Sequence, residues 1–325
     1  MKGSTTTKII TRKSGKKNLT SDTEKIMKSW EKNKDRPLSR GKTSIKTYLK
    51  NCCGFNCNIP EIVRKKLPGY NCVDFLGEGG FGATFMMSKD PRTNLALKVI
   101  QGLDKKSLDN EDKILKKLSS SCAKERILCY IKRFSEGDVT YFVTEYIQGL
   151  PMDNHIQVKP GDIYKVLAQL IDSVEYIHSK GIVHFDIKPD NVMVSEDGDI
   201  KLIDFGGASI RNEKDKVTLS AYTRHFAPSD IREEYSFEDG KYFDWYTVIT
   251  TSIHLVRILD KVPKDLEYLK KMKKTSIKDD ISILTEIGNV KKILDTHIQS
   301  KSKSFLSKDF KHNTRKILQT KMKTI

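Results

Sequence analysis

Apolar positions first fall at strand-like spacing after Tyr70. Cys72-Val73-Asp74-Phe75-Leu76 alternates imperfectly, and Ala83-Thr84-Phe85-Met86-Met87 and Leu95-Ala96-Leu97-Lys98-Val99-Ile100 follow as further strands. The period then lengthens. Glu111, Ile114, Leu115 and Leu118 share one face of a helix predicted over Leu108–Leu118. Strand patterns return at Ile127–Phe134 and Thr140–Tyr146, joined by Ser135-Glu136-Gly137-Asp138. Gly149 and Pro151 break the chain. Beyond them Ile163, Val166, Leu167, Leu170, Ile171, Val174 and Ile177 form an apolar stripe, with Pro160 near its start and Gly181 past its end. A polar loop, Val183 to Asn191, runs into the apolar Val192-Met193-Val194. Asp199–Ile203 reads as another strand, 208–222 as a loop, and a helix begins at Asp244 and carries Ile249, Ile253 and Val256. Helical patterning recurs at Leu266–Lys274 and Ile281–Ile298.

The ends differ from this body. Residues 1–50 are rich in Lys, Ser, Thr and Gly and poor in large apolar side chains. They cannot bury enough surface to offset their ordering entropy, so a mostly disordered tail is expected, with a short helix around Thr23–Trp30. The segment 51–69 is a cysteine-containing lead-in. Charge follows the same division. Of the net +17, residues 1–50 hold 15 Lys and Arg against 4 Asp and Glu, hence +11. Residues 261–325 hold 17 against 7, hence +10, which leaves −4 for the middle. Basic ends suit nucleic acid, anionic lipid or an acidic partner, and equally a solvated tail with none. No apolar run reaches the ~20 residues of a membrane span, and Met1 to Lys17 lacks the apolar centre of a secretory signal. A cytoplasmic or nuclear protein is the expectation. The six cysteines, Cys52, Cys53, Cys57, Cys72, Cys122 and Cys129, lack paired C-x-x-C spacing, so reduced thiols rather than a zinc site are expected.

Candidate chemistry sits at the joints. Leu76-Gly77-Glu78-Gly79-Gly80-Phe81-Gly82-Ala83-Thr84 puts G-x-G-x-x-G between two strand patterns. A dinucleotide fold would need a helix after the glycines; a following strand argues for a flap over phosphates. Lys98 interrupts an apolar strand and needs an anionic partner, which Glu111 on the apolar helix face can supply. In the polar loop Asp186 can accept a proton, Lys188 can hold an anion and Asn191 can ligate a metal. Asp204, at a strand end before Phe205-Gly206-Gly207, suits magnesium.

In this order and at these separations, Gly77–Gly82, Ala96-Leu97-Lys98, Glu111, His184-Phe185-Asp186, Lys188, Asn191, Asp204-Phe205-Gly206, Ala227-Pro228 and Asp244-Trp245 resemble the protein kinase superfamily. The resemblance implies an α+β fold of two lobes: a small β-rich N-lobe over 70–147 and a mainly helical C-lobe over 148–325, divergent after 260. It implies ATP between the lobes and Mg2+, with Mn2+ an alternative. The glycine loop covers the phosphates, and Lys98, held by Glu111, binds two of them. Asn191 and Asp204 carry the metal. Asp186 is the base and Lys188 neutralises the transferred group. Glu145 to Ile147 form the hinge, Thr144 guards the pocket behind it, and Ala96 and Met193 sandwich adenine. A lysine two positions after the aspartate resembles the serine/threonine group, so the implied partner is a protein bearing Ser or Thr hydroxyls.

Three departures stand out. The arginine that usually precedes the catalytic aspartate, and pairs with an activation-loop phosphate, is Phe185, so activity is expected not to depend on phosphorylation of the loop hydroxyls Thr218, Ser220 and Thr223. The glutamate expected after Ala227-Pro228 is Ser229, with Asp230 an adjacent acid and only Arg257 and Arg315 as later arginines. The valine above adenine is Thr84. The short C-lobe is similar to kinases of large DNA viruses. A pseudokinase scaffold, a small-molecule kinase, and a nucleic-acid-binding protein organised by its basic ends remain alternatives.

Overall fold

The computed structural model describes residues 59–79, 82–153, 162–259, 261–272 and 280–299. The basic tail, Cys52, Cys53, Cys57, Gly80 and Phe81 lie outside them. The chain divides into a unit of residues 1–44 and one of residues 45–325, and both lobes belong to the second.

The first lobe is an antiparallel sheet of five strands, β1 (Asn71–Gly79), β2 (Gly82–Asp90), β3 (Thr93–Gln101), β4 (Tyr130–Glu136) and β5 (Val139–Glu145), in the order β1-β2-β3-β5-β4. Period-two alternation decides its faces. Phe85, Met87, Leu97, Val99, Tyr141 and Val143 are buried on one side, each worth roughly 1.5–3 kcal/mol. A short helix, α1 (Glu61–Lys66), lies in the same cluster, where Ile59, Val63 and Leu67 are buried. Thr84, Ala96 and Lys98 therefore point to the other face, and Thr84 is paired with Lys98 across the ladder.

Helix α2 (Lys105–Leu118) starts where the Asp104 carboxylate accepts from the Ser107 N–H at 3.0 Å. It buries Leu108, Glu111, Ile114, Leu115 and Leu118. The strand expected from Ile127 begins only at Tyr130. This stretch instead bonds to the second lobe: Leu128 N–H donates to Leu202 O, Leu202 N–H donates to Arg126 O, and Lys201 Nζ donates to Ile127 O at 3.2 Å. Cys122 and Cys129 are joined by a disulfide, and Cys72 is disulfide-bonded too. The expectation of reduced thiols fails at these positions, because the turn after α2 brings the Cys122 and Cys129 Cα atoms to 5.2 Å.

The second lobe is built on α3 (Ile163–Ser179) and α4 (Phe237–Ile258), with α5 (Tyr268–Lys271) and α6 (Asp280–Gln299) behind. Helix α4 starts seven residues before Asp244, since Ser236 caps it by accepting from the Asp239 N–H at 3.1 Å. Short strands line the inner edge. β6 (Leu150–Pro151), β8 (Val192–Val194) and β9 (Ile200–Leu202) form one sheet. β7 (Ile182–Val183) pairs with β10 (Ser209–Ile210), and β11 (Lys216–Thr218) with β12 (Glu234–Ser236). The stretch 208–222, expected as a loop, thus carries two short strands. Lys291 on α6 is buried, paired with Glu175 on α3 and 5.8 Å from the Trp245 ring centroid. Asp230 pairs with Arg232 two residues on, and Arg257 donates to Met272 O rather than to a carboxylate near Ala227-Pro228, while Arg315 lies outside the described residues. Among the described residues no helix is long and apolar enough to cross a membrane.

Candidate active site

The glycine loop joins β1 to β2 as a hairpin with Gly79 opposite Gly82, and no helix follows. A Cβ on Gly82 would meet Val99 O at 2.5 Å, so glycine is required there for β2 to approach β3. Leu76 is exposed, Ala83 buried and Thr84 half-buried beside Gly77 and Lys98. Ala96 pairs with Thr144 across the β3–β5 ladder. Thr144 is buried, and its hydroxyl donates to Glu145 O at 3.2 Å. Met193 lies on β8 opposite Pro151, and Ile147 of the connecting segment is half-buried.

Lys98 is the electrostatic centre. Its Nζ stands 2.8 Å from Glu111 Oε1 and 2.8 Å from Asp204 Oδ1. Burial alone would lower the Lys98 pKa, but the Asp204 and Glu111 carboxylates outweigh it and raise the value, so the ammonium persists at any working pH. Burial likewise pushes the Asp204 carboxyl up, and the Lys98 ammonium more than reverses this and holds it below the ordinary carboxylate range. Asp204 takes a left-handed backbone at φ 60. Glu111 Oε2 is buried without a partner.

The loop after β7 gathers the remaining groups. Asp186 is buried with Oδ1 unpartnered, while Oδ2 lies 3.1 Å from Lys188 Nζ and accepts from Asn191 Nδ2 at 3.1 Å. Asn191 Nδ2 also donates to Asp186 O at 2.8 Å, which leaves the Asn191 carboxamide oxygen for a hard cation. Lys188 Nζ donates to Thr223 Oγ1 at 2.8 Å. Asp190, beside Asn191 in the chain, is exposed.

Asp244 holds the loop from beneath. It is fully buried, and its carboxylate accepts from His184 N–H, Phe185 N–H and His178 Nε2, each at 2.8 Å. This grip sustains the left-handed conformation of Phe185, φ 64, which a bulky residue rarely adopts. His184 Nε2 lies 3.1 Å from Ile203 O, and its ring packs 4.9 Å from Phe205, joining the loop to the Asp204 turn. Asn110 Nδ2 donates to Ala208 O at 2.7 Å and ties α2 to the segment after Asp204. Asn110, the bond between Thr223 and Lys188, and the supporting role of Asp244 escape a reading of pattern. Asp244-Trp245 stands among the motifs that carry the family resemblance, but the sequence alone does not show which groups Asp244 holds.

Phe185 is fully buried among Val183, Val217, Ala227, Tyr235, Phe237 and Phe243, with ring centroids 5.1 Å from Phe243 and 5.7 Å from Tyr235. A Cβ on Gly240 would meet Val217 at 2.7 Å, so α4 presses closely on β11.

A family profile described as protein kinase domain matches residues 70–324. Serine/threonine-protein kinase Nek10 of Mus musculus is 31% identical over 186 residues, which is 50% of this chain and 17% of that protein. Serine/threonine-protein kinase D of Synechocystis is 31% identical over 169 residues, 48% of this chain and 33% of its own. The cAMP-dependent protein kinase catalytic subunit PRKX of Homo sapiens is 28% identical over 210 residues, 59% of this chain and 56% of its own. The chain thus spans less than two thirds of the length of these relatives.

Proposed function

The chain belongs to the protein kinase domain family and has its two-lobed α+β fold, and on that premise we propose that it transfers the ATP γ-phosphoryl group to serine and threonine hydroxyls of proteins. One observation carries the reading: Lys98 joins Glu111 and Asp204 at 2.8 Å each, so the first lobe's phosphate ligand and the second lobe's metal ligand meet at one point.

The residues fit magnesium. Asp204 and the free carboxamide oxygen of Asn191 are two hard oxygen donors, and Mg2+ characteristically takes one or two protein oxygens with the rest from phosphate and water. Among the described residues no cluster of three ligating side chains offers an all-protein cage. When bound, the ion neutralises phosphate charge. The chain's own groups do the rest. Lys98 orients the non-transferred phosphates. Asp186, its Oδ1 buried and unsatisfied, accepts a hydrogen bond from the substrate hydroxyl and takes its proton as the oxygen attacks. Lys188, already within 3.1 Å of Asp186, neutralises charge on the moving group. Thr223 fixes Lys188 from the activation segment. Positioning and charge, rather than covalent catalysis, supply the rate.

Phe185 supports a finer proposal. No cation stands at this position to meet an activation-loop phosphate. The segment is held instead by the apolar cluster and the β11–β12 pair, so activity is independent of phosphorylation at Thr218 and Ser220. Thr223 belongs with the site through Lys188 and not with those two hydroxyls.

The test is incubation with labelled ATP, Mg2+ and mixed protein substrates. Wild type should transfer label to Ser and Thr, and Asp186→Asn should not. A folded wild type that transfers no more label than the variant would sink the proposal.

A further inference from the structure

The Cys122–Cys129 disulfide lies outside the catalytic set yet touches its supports. It closes the turn between α2, which carries Glu111, and β4. Cys129 and Glu145 are doubly clasped: Glu145 N–H donates to Cys129 O at 2.9 Å, and Cys129 N–H donates to Glu145 Oε1 at 2.8 Å. The next residue, Tyr130, donates its hydroxyl to Asp112 on α2 at 2.5 Å. A single ammonium serves the whole corner. Lys201 Nζ stands 2.7 Å from Glu145 Oε1, 3.2 Å from Ile127 O and 3.6 Å from Cys129 Sγ.

We propose that Cys122 and Cys129 are a site of reversible thiol–disulfide exchange, whose reduction draws Lys201 from Glu145 to a Cys129 thiolate and loosens the nucleotide hinge. The thiolate is favoured at Cys129, because a cation at 3.6 Å stabilises the charged sulfur. Cys122, buried in the apolar core, has no such help and keeps its proton. The reductant is a small thiol or dithiol. With a dithiol, the protein Sγ–Sγ bond breaks and the reductant's two sulfurs form the new one. Of the two protons released, one goes to Cys122 and one to solvent, and Cys129 leaves as thiolate. Glu145 then loses a charged partner at the strand end where the hinge begins. In the oxidised chain the sulfur carries no charge, and Lys201 stays on Glu145.

Two readouts on the full chain test this, and only the second rests on the kinase reading. The first is the alkylation rate of Cys129 at neutral pH, by mass spectrometry of the reduced protein. Lys201→Gln should slow it about fivefold as the thiolate fraction falls toward that of an ordinary thiol; an unchanged rate overturns the exchange site. The second is binding of a fluorescent ATP analogue. Reduction should weaken it about fivefold, the low end of ordinary coupling between sites. Cys122→Ser, which frees the Cys129 thiolate permanently, should bind weakly with or without reductant. Cys129→Ser, which cannot form a thiolate, should bind tightly in both conditions. Equal weakening in the two serine variants would mean that the cross-link alone matters, and would overturn the switch. A Cys129→Ser chain that still responds to reductant would assign the response to Cys72 and overturn the switch equally. Should no variant bind nucleotide in either condition, the kinase reading fails and alkylation decides the exchange site.

Discussion

Phe185 and Asp186 are consecutive, both buried, and hold different things by different forces. On the Asp186 side, Lys98, Glu111, Asp204, Asn191 and Lys188 are fixed by charged hydrogen bonds of 2.8 to 3.1 Å. On the Phe185 side, Val217, Tyr235, Phe237 and Phe243 are held by ring and aliphatic packing, by the backbone ladder of β11 and β12, and by cations over the outer rings, with no buried ion pair among these residues. The Asp244 carboxylate, bonded to the backbone at both 184 and 185, is the divider. On the proposed function the polar side is organised around charges a substrate must meet, so each member has one place. The apolar side only keeps the activation segment seated, and any well-packed set of similar volume would serve.

The largest test strikes the polar side. Asp186→Asn keeps volume and removes the proposed proton acceptor, and should lower kcat by about 10²–10⁴ with little change in melting temperature. A drop in stability to match would mean that Asp186 is structural. The converse substitution, Phe185→Ala, should cost about 3–5 kcal/mol in urea unfolding, as for other buried phenylalanines. A loss near ~1 kcal/mol would show that β11 and β12 hold the segment without the ring.

A smaller effect separates paired charge from unpaired charge. Asp172 on α3 is half-buried, and burial, with Glu175 beside it, pushes its carboxyl up to about 6, only partly offset by Arg126 and Lys291. Its folded pKa lies above its unfolded value. The stability it contributes is therefore full below pH ~4 and lost as pH rises through about 6. Asp172→Asn should raise the melting temperature by about 2–4 °C at pH 8, equivalent to ~1 kcal/mol after solvent screening, and by nothing at pH 4. A gain at both pH values would point to packing rather than charge. The smallest expected change is from Thr218→Ala with Ser220→Ala, which should leave kcat within about twofold. A loss beyond ~10-fold would return control to a phosphate and refute the apolar plug.

The sequence discloses the polar side almost completely, because charged groups in apolar surroundings stand out. Lys98 inside a strand pattern demanded an anion, and Glu111 on a buried helix face answered it. Strand and helix bodies follow from periodicity, while their starts depend on local bonds that a pattern does not carry. Helix α4 begins at a Ser236 cap, and β4 is delayed by bonds to the second lobe. Two features were out of reach. Cys122 and Cys129 gave no spacing signal, since their approach depends on how the turn after α2 docks on β9. Lys201 reads as an ordinary exposed strand residue until β9 is seen behind Glu145.

Helix α1 bears on how the protein can be handled. The kinase profile begins at residue 70, but α1 precedes it and shields the apolar side of the sheet, with Val63 fully excluded from water. A fragment trimmed to the profile boundary would uncover Phe85, Met87, Leu97 and Val143 as one sticky surface. Such a fragment should self-associate and scatter light while the longer chain stays monodisperse. Helix α1 is in that sense a solubility device lying outside the family's recognisable span.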